Sequence, residues 1–309
     1  MLFFWGIVFI VSLFILVKGA DWLLASGEKI GLKIGLSPFV IGVTIVAFGT
    51  SFPELISGFV AVFSGVSEIV VANAVGSNIA NILLVVGVSA IIARKLSVSK
   101  DLIDLDLPLI ALSTAIFVLV AVDGSVTFFE SLFLLATYVI YLGFSFIYQD
   151  DEIDEPVKRP DITATDLVML FIGIVGLSLG AKYLIDSIIA LSAILEVGAG
   201  VITITAVAIG TSLPELIVSV KAAMRRQSEV ALGNIFGSNI FNVLAVVGLP
   251  GIFGTLYIDE QTLTYGIPVL ITATVLFIIS GISRRIHIQE GAMYLLIYAI
   301  FMAKLFGLF

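Results

Sequence analysis

The chain contains no cysteine, a single histidine and few charges: only 12% of its 309 residues are Asp, Glu, Lys or Arg. Without cysteine there is no disulfide framework, no thiolate metal site and no cysteine nucleophile. His287 stands beside Arg284 and Arg285, outside the apolar runs, which leaves no Ser–His hydrolase or histidine metal site within them. No GxxxxGK run occurs, which counts against ATP as a driver. The net charge of −8 counts against nucleic acid as a partner. Soluble domains are about 25% charged and about 45–50% apolar. Here 60% of residues are hydrophobic and the mean hydropathy is +1.21. The composition is that of a polytopic membrane protein, with no length left for a second, soluble domain.

A spanning helix needs about 20 apolar residues. Residues 1–17, MLFFWGIVFIVSLFILV, carry no charge and run on apolar to about Leu24. They lack the basic start and small-residue cleavage site of a signal peptide, so they are expected to remain as the first span. Apolar stretches recur at 38–63, 69–93, 103–122, 126–148, 165–190, 200–224, 229–252, 263–282 and 290–308, which makes ten.

After spans 1, 3, 5, 7 and 9 come Lys29, Lys33, Arg94, Lys95, Lys100, Lys158, Arg159, Lys221, Arg225, Arg226, Arg284 and Arg285, 12 of the 15 basic residues. The loops after spans 2, 4, 6 and 8 hold none and carry Glu68, Asp123, Glu196, Asp259 and Glu260. The positive-inside rule then makes the odd-numbered loops cytoplasmic and puts both termini outside. Residues 149–164, with Asp150, Asp151, Glu152, Asp154 and Glu155, form an acidic linker between a first unit, 1–148, and a second, 165–309. A solvated linker explains the run; a regulatory cation site is the alternative.

The chain carries an internal repeat. VAFGTSFPELI at 46–56 returns as VAIGTSLPELI at 207–217, and GSNIANILLVVG at 76–87 returns as GSNIFNVLAVVG at 237–248, both shifted by 161 residues. The register reaches span 1, where Gly19, Ala20 and Trp22 align with Gly180, Ala181 and Tyr183. That shift crosses five spans, an odd number, so the two copies face opposite sides of the membrane. Inverted repeats of this kind recur in secondary transporters, with substrate sites near the midplane where the repeats meet.

Each copy places one acid inside an apolar span: Glu54 in span 2 and Glu215 in span 7. A charge at the bilayer centre costs at least about 2.5–3.5 kcal/mol, so such acids are paired or functional. Spans 3 and 8 offer no Lys, Arg or His in their interiors, which leaves a cation from solution as the partner. Ala47, Thr50, Ser51 and Glu54 recur at helical spacing, as do Ala208, Thr211, Ser212 and Glu215, so each set shares a face. Pro53 and Pro214 lack an N–H and crowd the carbonyls of Gly49 and Gly210, which predicts bent helices with backbone oxygens turned off the ladder.

Carbonyl, hydroxyl and carboxylate oxygens are hard ligands, suited to Ca²⁺ or Na⁺. Ser77 with Asn81, and Ser238 with Asn242, lie one turn apart in spans 3 and 8 and are candidates to complete the shell. Asn73, Asn78, Asn234 and Asn239 serve either that shell or helix–helix hydrogen bonds. Two ionised glutamates balance one Ca²⁺. Emptied, they leave two close, poorly solvated carboxylates, so the site should cross the membrane only when loaded with another cation or protonated. That is the logic of an exchanger rather than a channel. Lys18 with Asp21, and Lys182 with Asp186, are spaced for intrahelical pairs and are read as structural.

The paired GTSxPE and GSNIxN segments resemble the two α-repeats of the sodium/calcium exchanger family, within the calcium/cation antiporter superfamily. The resemblance covers the whole chain and looks most like the compact prokaryotic members. It implies an all-α integral membrane fold of ten transmembrane helices in two inverted-topology repeats of five, with helices 2 and 7 broken, in a prokaryotic cell (inner) membrane. It implies Ca²⁺ at Glu54 and Glu215 with backbone oxygens at Thr50 and Thr211. It implies Na⁺ at Ala47, Ser51, Ser77, Ala208, Ser212 and Ser238, with the glutamates, Asn81 and Asn242 in the same set.

In family terms, three Na⁺ exchange for one Ca²⁺ by alternating access, spans 1 and 6 sliding over the rest. Some archaeal and potassium-dependent relatives carry an aspartate where Asn242 stands, so this chain has one acid fewer, which argues against potassium co-transport. Proton-driven members usually carry GNAxE, whereas GTSxPE follows the sodium pattern. The expectation is therefore a Na⁺/Ca²⁺ antiporter and not an enzyme. Ca²⁺/H⁺ antiport is the alternative, because glutamates are also discharged by H⁺, and a cation channel is the reading from another class. No cofactor is implied. The partners are inorganic cations and membrane lipid, without nucleic acid or nucleotide, and a monomer suffices.

Overall fold

The computed structural model describes residues 1–97, 106–147, 160–194, 210, 212–305 and 307. Within them ten helices follow the apolar stretches: α1 (Leu2–Lys33), α2 (Pro38–Phe63), α3 (Glu68–Ala93), α4 (Asp106–Ala121), α5 (Phe128–Ile147), α6 (Ala164–Ile194), α7 (Leu213–Met224), α8 (Ser228–Gly251), α9 (Thr262–Ile282) and α10 (Ile288–Leu305). All but α4 and α7 are at least 18 residues long and apolar enough to cross a membrane. Phe3, Phe4, Ile10 and Phe14 of α1 are exposed, as are Phe129, Phe133, Val139 and Ile147 of α5. Helices apolar on their outer faces are at home in lipid. At the centre the most apolar window of α8 is wholly buried.

Glycine lets the helices approach closely. A Cβ on Gly19 would sit 2.8 Å from the backbone nitrogen of Leu177, and one on Gly180 would sit 2.7 Å from that of Leu16. Both pairs are related by the 161-residue shift, so α1 and α6 cross on the pseudo-two-fold axis. Gly42 and Gly233 bring α2 against α8 in the same way.

The duplication extends to backbone irregularities. α3 is interrupted by a π turn at Asn81–Val85 and α8 by one at Asn242–Val246, 161 residues on. α2 carries its π turn at Gly42–Val46, and Pro53 lies within the regular helix Ala47–Phe63 that follows. In α7, Pro214 stands in the first turn, where a missing N–H costs nothing.

Four short strands link the halves. β1 (Lys95–Ser97), after α3, pairs antiparallel with β4 (Arg285–His287), after α9, with Leu96 opposite Ile286. β2 (Ser125–Val126), after α4, pairs with β3 (Leu256–Tyr257), after α8, with Val126 opposite Leu256. Adding 161 to β1 lands on β3, and adding it to β2 lands on β4, so the repeat exchanges the two ribbons. Odd loops thus meet odd loops and even loops meet even loops, the parity that inverted halves require.

Two expectations change. α1 runs to Lys33 rather than to about Leu24, and Lys29 near its end binds Asp166 at the start of α6 at 2.8 Å. Neither intrahelical pair forms among the described residues. Asp21 instead accepts from α7, from Lys221 at 2.6 Å and from Arg225. Lys221 also donates to the carbonyl of Val17 at 2.9 Å, so it caps two acceptors of one neighbour. Lys18 and Lys182 lie instead beside the rings of Phe14 and Tyr183. Two cations on α7 thus take the place of the one on Asp21's own helix. Residues 149–159 of the acidic linker lie outside the described residues.

Candidate cation site

α2 and α8 run side by side in the same direction. Gly42 lies against Gly233, Ala47 against Gly237, Thr50 against Ser238, and Gly58 against Val246. The pairs Thr50–Ser238 and Gly58–Val246 each sit four residues from Glu54 and Asn242, one turn below and one above. Because residues four apart share a helix face, Glu54 and Asn242 occupy the same level of this contact. Small residues at Gly233, Gly237 and Ala47 make that approach close enough for side-chain oxygens to converge.

The buried polar groups divide into those that bond protein and those that do not. The Thr50 hydroxyl bonds the carbonyl of Ala47 at 3.2 Å and the side-chain oxygen of Asn234 at 3.1 Å, and lies 3.3 Å from the Ser238 hydroxyl. Asn234 donates to Ser219 of α7 at 2.9 Å. Ser51 donates to Oε1 of Glu215 at 2.8 Å, joining α2 to α7. Asn78 of α3 donates to the backbone carbonyl of Asn239 and accepts from Asn242, joining α3 to α8. Apart from the Thr50–Ala47 bond within α2, these bonds cross from one helix to another, as membrane interiors favour, and pin the four motif helices together.

The second group comprises both oxygens of Glu54, Oε2 of Glu215, the Ser212 hydroxyl, both ends of the Asn81 amide, and Oδ1 of Asn239 and Asn242. All are buried, and none has a hydrogen-bond partner among the described residues. An unmet buried polar group costs about 1–3 kcal/mol, and more when charged. Eight such atoms gather in the two duplicated motifs. They are oxygens, plus one amide nitrogen that can turn away, and such a set fits a hard cation.

Of the residues expected from the sequence, Ala47, Thr50, Ser51, Glu54, Ser77, Asn81, Ser212, Glu215, Ser238 and Asn242 are all buried on α2, α3, α7 and α8. Ser212 lies at the start of α7. Ala208 and Thr211 lie outside the described residues. Asn78 and Asn234 take the helix–helix option, whereas the amide nitrogen of Asn239 bonds the Ile235 carbonyl of its own helix. Ser219 was not expected; its buried position one turn after Glu215 was the available signal.

Inverted halves meeting over buried, unpartnered oxygens are the architecture of a membrane transport protein of the secondary-transporter type. More particularly, the chain belongs to the sodium/calcium exchanger family: the sequence model described as sodium/calcium exchanger protein matches residues 4–147 and again residues 165–307. The chain is 31% identical to the sodium/calcium exchanger MaX1 of Methanosarcina acetivorans, covering 97% of this chain and 98% of that one. It is 32% identical to the putative antiporter CaxA of Alkalimonas amylolytica, with 96% and 97% covered. The solved structure of the sodium/calcium exchanger from Methanococcus jannaschii superposes with a TM-score of 0.84 at 31% identity, covering 98% of this chain and 99% of that one.

Proposed function

We propose that the chain exchanges Na⁺ for Ca²⁺ across a prokaryotic cell membrane by alternating access. The observation that carries this reading is the pair of buried glutamates, Glu54 and Glu215, whose oxygens are left largely without protein partners where the repeats meet. Two ionised carboxylates neutralise one Ca²⁺. Thr50, Glu54, Thr211 and Glu215 would hold it, the threonines through backbone oxygens. Na⁺ would take the flanking positions at Ala47, Ser51, Ser77, Asn81, Ala208, Ser212, Ser238 and Asn242, with the glutamates shared.

The charges govern the cycle. With either load the glutamates are compensated and the site can be occluded; bare, it holds two carboxylates in a low dielectric and stays put. Three Na⁺ against one Ca²⁺ move one net charge, so transport is electrogenic. The basic residues at or just after the ends of α1, α3, α7 and α9 argue that those ends are cytoplasmic and both termini outside. Residues 1–148 and 165–309 act as the two inverted units, joined by 149–164 as a solvated linker.

The test is ⁴⁵Ca²⁺ uptake by purified protein in Na⁺-loaded liposomes diluted into Na⁺-free buffer. Uptake driven by the outward Na⁺ gradient, absent with choline inside, is the expected result. Uptake driven by an acid interior alone would replace Na⁺ by H⁺ as the coupling ion, and single-channel currents would replace exchange by conduction.

A further inference from the structure

The two asparagines that close the motif, Asn81 and Asn242, are repeat counterparts in different environments. Asn78 donates its Nδ2 to the backbone carbonyl of Asn239 at 2.8 Å. A backbone carbonyl can only accept, so this bond fixes which end of the Asn78 amide is nitrogen and turns its Oδ1 the other way. That Oδ1 meets Asn242 at 3.1 Å, and an oxygen acceptor there requires Asn242 to present its Nδ2. The remaining end of Asn242, Oδ1, is buried without a partner among the described residues. It lies at the level of Glu54, bracketed by the Thr50–Ser238 and Gly58–Val246 contacts.

The other half lacks this relay. Asn239, the counterpart of Asn78, bonds the Ile235 carbonyl of its own helix, and both ends of Asn81 are unpartnered. We infer that Asn78 is a positioning residue: it commits the Asn242 amide to oxygen-outward, as a fixed cation ligand beside Glu54, and leaves the Asn81 amide free to turn. This rests on the cation site proposed above and adds that its two halves are inequivalent. Without Asn78, the Asn242 amide can rotate and offer N–H to the Glu54 carboxylate. A carboxylate holding an N–H donor has one oxygen fewer for Ca²⁺.

The experiment is equilibrium ⁴⁵Ca²⁺ binding to purified, detergent-solubilised protein, which does not depend on exchange. N78L should weaken binding about tenfold. N78D is expected to stay within about twofold, because a neutral carboxyl donates to the Asn239 carbonyl and accepts from Asn242 as the amide does. The discriminating measurement is a double-mutant cycle with N242D, whose two carboxylate oxygens need no orienting. In the N242D background N78L should cost less than about twofold, whereas a purely structural contact between α3 and α8 would cost the same in both backgrounds. N78A reads the same comparison should leucine not be tolerated. Equal losses in both backgrounds, or unchanged binding in N78L and N78A, overturn the positioning role alone. Absence of Ca²⁺ binding by the unmodified protein overturns the ion assignment and this inference together.

Discussion

The Ser51 hydroxyl donates to Oε1 of Glu215 at 2.8 Å, while Ser212, its counterpart 161 residues on, has a buried hydroxyl without a partner among the described residues and makes no bond to Glu54. The duplicated motif is thus symmetric in sequence and asymmetric in bonding. A hydrogen bond to a charged group contributes about 1.5–3 kcal/mol. S51A, which unties Glu215, should raise the half-saturating Ca²⁺ concentration about tenfold or more. S212A should change it less than about threefold and weaken Na⁺ instead. Equal Ca²⁺ effects in the two variants, read by ⁴⁵Ca²⁺ uptake, would contradict the asymmetry.

Glu54 and Glu215 should each be indispensable, although only one of them is bonded by Ser51. Glutamine keeps the shape and removes the charge, so a divalent ion would face a single carboxylate in a low dielectric. E54Q and E215Q should reduce Na⁺-dependent ⁴⁵Ca²⁺ uptake at least about a hundredfold while eluting as folded protein on size exclusion. Substantial transport by either variant would remove the paired carboxylates from the mechanism.

The glycine contacts predict where an added methyl is fatal. A Cβ on Gly237 would collide with the Val43 carbonyl, and one on Gly180 would meet the Leu16 backbone at 2.7 Å, whereas one on Gly143 meets nothing within 4 Å. Overpacking costs about 1–3 kcal/mol and more when backbone must move. G237A and G180A should lower the midpoint of thermal unfolding in detergent clearly below that of G143A, which should match the parent. A G237A midpoint equal to the parent's would show that α2 and α8 are not packed backbone to backbone.

The absence of cysteine supplies a background for testing orientation. Asp123 and Ser283 are exposed in an even and an odd loop. In intact cells a membrane-impermeant maleimide should label D123C and spare S283C until the membrane is opened. The reverse pattern would invert the topology.

Much of the architecture was legible because its signals are short in range or strictly periodic. Apolar length marks the spans, and the 161-residue repeat their inversion. The acids of the site stood out because nothing else in α2 and α7 explains them. Partner choice across helices was less legible. Asp21 stands three residues after Lys18 in the sequence, yet Lys221 and Arg225 become its partners only when α1 lies on α7. The π turns of α2, α3 and α8 carry no residue signature comparable to proline, since they answer to how the neighbouring helices pack. Whether Asn78 and Asn234 bond protein or ion was likewise settled by what stands opposite them.

Four bonds of the candidate site cross between the halves: Thr50 to Asn234, Ser51 to Glu215, Asn78 to Asn239, and Asn242 to Asn78. The two ribbons cross as well, each made of one strand from either half. The halves are clasped like two right hands, not stacked like two bricks. Either half alone therefore contains one of the two paired acids, part of the oxygen set and two unpaired strands, and would need an upside-down copy of itself in the same bilayer to complete them.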